Sequence, residues 1–146
     1  MNLIAHMPDV ASVIHTAIAP VFLLTGVGAL LSVLTSRLGR IIDHARKWEE
    51  RLPSLQGDAE QLANFRLRTL SQRARLINRA ISLAVSCALL ICVVIVALFL
   101  TAFYVKDLDR TIAWIFITAM LALIGSLLTF LREVYVATAS LRIGTQ

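Results

Sequence analysis

The chain has 146 residues, enough for one compact unit, but 58% of them are hydrophobic and its mean hydropathy is +0.80. Soluble domains are roughly half apolar, so this composition excludes an ordinary soluble enzyme and points to an all-α integral membrane protein. The net charge of +5 raises the question of nucleic acid, yet the basic residues abut apolar runs, alternate with Asp43, Glu49, Glu50, Asp58 and Glu60, and carry no nucleic-acid-binding motif. No nucleic-acid partner is expected, and anionic lipid headgroups are the expected contacts.

Taken in chain order, residues 1–14 form an extracytoplasmic or interfacial segment. It has no Lys or Arg and contains Asp9, unlike a signal peptide, so the first span is expected to stay in the mature protein. Asp9 is a suitable cap ahead of Val10, Val13, Ile14 and Ile18, which share one helical face. The first span is read as 15–36. Pro20 either sits in its first turn or kinks a longer helix.

Within this span Thr25-Gly26-Val27-Gly28 resembles the texture of a potassium-channel filter. A filter needs a re-entrant segment and a pore helix, whereas these glycines lie mid-span, so close helix packing is the better account. Thr25, Ala29, Ser32 and Ser36 form a small, weakly polar stripe, suited either to packing another helix or to lining a pore.

Residues 37–80 hold ten of the fourteen Lys and Arg residues: Arg37, Arg40, Arg46, Lys47, Arg51, Arg66, Arg68, Arg73, Arg75 and Arg79. The segment is patterned. Leu34, Leu38, Ile41, Ala45, Trp48 and Leu52 recur at alternating spacings of four and three, as do Ala63, Leu67, Leu70, Ala74, Ile77 and Ile81. Folded back on each other, the two series pair in one register from Leu52 with Ala63 to Leu34 with Ile81. This predicts a coiled-coil-like antiparallel helical hairpin. Its tip is 53–57, where Pro53 and Gly57 stop one helix and Asp58, with Gln61 three residues on, caps the next. The register continues into the membrane through Leu31 with Ala84, Val27 with Ala88, and Leu24 with Ile91. The arm from Asp58 to Arg79 has a length of about 30 Å at the usual helical rise.

Residues 81–105 and 111–131 carry no charge and are long enough to cross a bilayer. Cys87 and Cys92 in the second span point about 140° apart on a helix, which fits neither a disulfide nor a shared metal site. Residues 106–110 make an outer turn, with Phe103, Tyr104 and Trp114 as interfacial anchors. In the tail, 132–146, the pattern Leu127, Leu131, Val134, Thr138, Leu141 fits a third bundle strand, and the polar content fits a frayed end.

Lys and Arg number none before the first span, ten in the hairpin, two in the outer turn (Lys106, Arg110) and two in the tail (Arg132, Arg142). The positive excess places the hairpin and the C-terminus in the cytoplasm and the N-terminus outside.

For chemistry the sequence offers little. The span cores contain no Asp, Glu, Lys or Arg, and His15 lies near the outer interface. With His6 and His44 elsewhere no metal cluster is expected, no catalytic pairing is found, and no cofactor is implied. The candidate contact residues are Arg37, Arg40, Asp43 and Arg46, recurring every three residues just inside the membrane as a face for anionic lipid or protein.

Three blocks carry a resemblance: Ala19-Pro20-Val21-Phe22-Leu23-Leu24-Thr25-Gly26-Val27-Gly28-Ala29-Leu30-Leu31, Arg37-Leu38-Gly39-Arg40-Ile41-Ile42-Asp43, and Arg73-Ala74-Arg75-Leu76-Ile77-Asn78-Arg79-Ala80-Ile81. With these the chain, from about Ile14 to Leu131, resembles a family of small bacterial membrane proteins catalogued as a domain of unknown function. The resemblance implies a bacterial inner-membrane location and three helices, and supplies no activity. The expectation is a non-enzymatic, self-associating membrane protein that presents a basic hairpin to lipid or protein partners. A homo-oligomeric pore is the alternative, and a membrane enzyme the weakest reading.

Overall fold

A computed structural model describes residues 10–103 and 108–142, with side chains at 10–101 and 108–139. Three helices account for nearly all of it: α1, Val10–Arg51; α2, Asp58–Phe103; and α3, Asp109–Arg142. Among the described residues there is no strand. All three helices are long and apolar enough to cross a membrane, which makes the chain a multi-pass membrane protein.

α1 is continuous through Pro20, which is buried well inside the helix rather than in its first turn. The Asp9 cap and the anchor Tyr104 lie outside the described residues, as does the side chain of Phe103, while Trp114 is exposed. Asp109 and Arg110, expected in the outer turn, open α3 instead. An acidic residue in that first turn suits the positive end of the helix dipole.

A single 3₁₀ turn, Leu52–Ser54, joins α1 to α2. Pro53 fixes its backbone angle and Ser54 Oγ donates 2.7 Å to the Arg51 carbonyl, closing the end of α1. Gly57 then takes a φ of +66°, a left-handed conformation that costs other residues about 1–2 kcal/mol. Its carbonyl accepts from the amides of Glu60 and Gln61. Gly57 thus occupies the place expected of Asp58. Asp58 and Glu60 fall in the first turn of α2, where they complement the helix dipole.

α1 and α2 pack antiparallel. Ala63 is buried near the tip, and Leu34, Ile41 and Ile77 belong to one cluster that runs into the apolar spans through Val27, Ala84 and Ile91, with Leu24, Leu31 and Ala88 packed against it. Ala80, Ala84 and Ala88 of α2 lie in this cluster, and such small residues let helices approach closely where lipid offers no hydrophobic drive to association.

α3 packs on the other flank of α2, and its seam differs from the one the leucines suggest. Ile112, Ala119, Ser126 and Glu133, seven residues apart, are the buried positions, whereas Leu127 and Leu131 are exposed and Thr138 faces outward. Their counterparts on α2 are Val94, Cys87, Ala80 and Arg73, also seven apart. Val94 shares a cluster with Ile112 and Cys87 shares one with Ala119. The last two pairs meet directly, as Ser126 Oγ donates 2.7 Å to the Ala80 carbonyl and Arg73 holds Glu133. The helix continues to Arg142, so the segment read as a tail is helical from Arg132 to that residue.

Ala84 is fully buried at the α1–α2 crossing. Replacing it with Leu is expected to lower the stability of the detergent-solubilised protein by about 1–3 kcal/mol through overpacking, measured by equilibrium unfolding. Leu at exposed Val85 leaves stability unchanged.

Candidate functional site: a buried carboxylate clamp

Glu133 is the most constrained polar side chain among the described residues. It has no solvent exposure and sits where α1, α2 and α3 converge, at the end of the apolar spans from which the hairpin projects. Arg73 of α2 grips Oε1 with both Nε and Nη2 at 3.0 Å. Arg37 of α1 brings Nη2 to 3.1 Å from Oε2, within ion-pairing distance but outside hydrogen-bond geometry, so Oε2 accepts no hydrogen bond among the described residues. The Arg37 guanidinium also stacks over the Phe130 ring, 5.2 Å from its centroid, one helical turn before Glu133.

These are the two ion pairs among the described residues, and they share one acid. A lone carboxylate removed from water is strongly unfavourable, and two guanidinium groups offset that cost. The arginines keep partial exposure, 29% and 21% of their side chains. Their aliphatic stems therefore run along the apolar wall while part of each head reaches the polar zone. The carboxylate is fully enclosed and its partners are not.

The four basic-face candidates separate. Arg37 is taken up by Glu133, while Arg40, Asp43 and Arg46 are exposed and form no ion pair among the described residues, including the pairings of Asp43 with Arg40, Arg46 or Lys47 that the spacing allows. Thr25, Ala29, Ser32 and Ser36 are all exposed on α1, away from α2 and α3. The Thr25 hydroxyl donates to its own helix at the Val21 carbonyl, 3.3 Å away. Among the described residues there is no group of His, Cys, Asp and Glu able to hold a metal.

Sequence reasoning missed Glu133 because it falls two residues past the uncharged run, next to Arg132, where a charge reads as solvated. Two signals mark it. It is the last acidic residue in the chain, and it continues the seven-residue series Ile112, Ala119, Ser126.

Residues 17–143 match a family described as "Protein of unknown function (DUF2721)", and the chain belongs to that family. Comparison with curated proteins and with solved structures gave no match.

The geometry predicts an asymmetry. Arg73→Met leaves a buried carboxylate with one poorly aligned partner and is expected to cost about 3–5 kcal/mol in equilibrium unfolding. Glu133→Leu leaves two partly exposed arginines that reorient to water or headgroups, and costs clearly less. Exchanging the charges, Arg73→Glu with Glu133→Arg, recovers part of the loss.

Proposed function

We propose that this is a non-enzymatic membrane protein that self-associates and presents its hairpin, on the cytoplasmic side of a bacterial inner membrane, to anionic lipid. One observation carries the reading. Arg40, Arg46, Lys47, Arg51, Arg66, Arg68, Arg75 and Arg79 are all exposed and form no ion pair among the described residues. A structural role would tie such residues to acids, as it ties Arg37 and Arg73. Basic residues held within about a Debye length of an anionic surface contribute about 1 kcal/mol each, which favours those at the base of the hairpin over Arg51, Arg66 and Arg68 near its tip. Arg66 is also held by stacking over Trp48, 5.5 Å from the ring, which limits its motion without neutralising it.

Self-association draws on the exposed stripe of Thr25, Ala29, Ser32 and Ser36, small enough for another helix to approach closely. The same exposure is what a homo-oligomeric pore needs, and flux separates the two. Liposomes holding the protein are expected to pass no ions or small solutes above background, with Ser32→Leu changing nothing. Flux abolished by that substitution would establish the pore.

For lipid contact, native mass spectrometry of the full chain is expected to show retained phosphatidylglycerol in preference to phosphatidylcholine. Arg40→Gln with Arg46→Gln should weaken that preference by about thirty-fold, from about 1 kcal/mol per residue. Equal retention of both lipids would reject the reading.

A further inference from the structure

An open groove of 790 Å³ runs between α1 and α2 along the hairpin. Its floor is apolar, made by Ile41, Ala45, Leu70 and Ala74, and Ile42 at its edge is 46% exposed. α3 does not cover it. The α3 contact line on α2 passes through Arg73, and Arg75 on the groove rim lies about 160° round the helix from it. The rims are oppositely charged. Glu49 stands on the α1 side and Arg68 and Arg75 on the α2 side, and none of them forms an ion pair among the described residues. Toward the spans, the same flank exposes Gly39, where an added Cβ would meet nothing within 4 Å, and Asn78, whose amide has no hydrogen bond among the described residues.

We infer that this groove is the interface for a second copy of the chain, related by a two-fold axis along the membrane normal. This rests on the self-association proposed above, but assigns it to the groove in place of the stripe of Thr25, Ala29, Ser32 and Ser36. Two copies in one bilayer share an orientation, and a two-fold axis along the groove sets α1 of each against α2 of the other. The acidic rim then faces the basic rim. Arg66 stacks over Trp48, so the adjacent Glu49 sits at nearly the height of Arg68 and meets Arg68 of the second copy twice in the dimer. Ile42 is covered by the opposing floor. Asn78 comes level with the start of the opposite α1 arm, near Gly39, where a polar side chain and a bare backbone suit close helix contact. A soluble helical partner would have no reason to follow the groove down to the membrane boundary.

The test uses full-length protein in liposomes, with the dimer fraction followed by single-molecule photobleaching as the protein-to-lipid ratio is lowered. Glu49→Arg and Arg68→Glu are each expected to weaken association by about ten-fold, since each sets like charges together twice. The double exchange should return it to within about three-fold of the parent, because the two sites are coupled. Both residues are exposed, so the single variants remain folded, and the rescue by the double exchange checks this. Single variants that dimerise like the parent, or a double exchange no better than the worse single, would overturn the groove interface. If Ser32→Leu alone dissociates the dimer, the groove is wrong and self-association stands. If the parent is monomeric at every dilution, both fall.

Discussion

The whole arrangement depends on one carboxylate that water does not reach. Glu133 lies on α3, and its partners come from the other two helices, Arg37 from α1 and Arg73 from α2. α1 and α3 each pack along α2 but touch one another little, so the Arg37 contacts with Glu133 and Phe130 are what tie the outer pair together. Such a cluster contributes less net stability than its short distances suggest, because desolvation consumes most of the attraction. Its effect is on register. A carboxylate that must meet two guanidinium groups tolerates no one-turn slip of any helix.

That constraint matters more in lipid than it would in water. Apolar side chains gain nothing by leaving hydrocarbon for another helix, so leucines do not choose their neighbours. Selection falls to small residues that permit close approach and to polar groups that need a partner. The α2–α3 seam is built in that way, with Ala119 against Cys87, the Ser126 hydroxyl on the Ala80 carbonyl, and Glu133 at the polar end. In the hairpin the solvent is water, and there the familiar apolar seam of Leu38, Ile41 and Leu70 returns. One helix, α2, carries both kinds of seam, on flanks that differ.

This change of solvent explains what was legible in the sequence. The faces that α1 and α2 bury could be read from alternating four- and three-residue spacings, because burial in water selects apolar residues and leaves a periodic trace. The α3 register could not be read by the same rule. Leu127, Leu131 and Thr138 have the right spacing and face outward, while Ser126 and Glu133 look like surface residues and are buried. Arg37 illustrates the same limit. Its place in a run of charges just inside a span suggests a headgroup contact, and only the third helix reveals that it has an internal partner. For Arg40 and Arg46 the plain reading of a solvated basic face agrees with their exposure.

The proposed role follows from this division of charge. Two arginines are spent on holding three helices in register, and eight basic residues stay on the hairpin surface without an acid among the described residues. Distance measurement by electron spin resonance tests the central claim most directly, with both cysteines replaced by Ala and spin labels at exposed positions His44 and Thr138. The Glu133 clamp predicts a narrow α1–α3 distance distribution in the parent that broadens in Glu133→Gln, while a control pair at His44 and Gln72 across the hairpin stays narrow. An α1–α3 distribution unchanged by Glu133→Gln would contradict it.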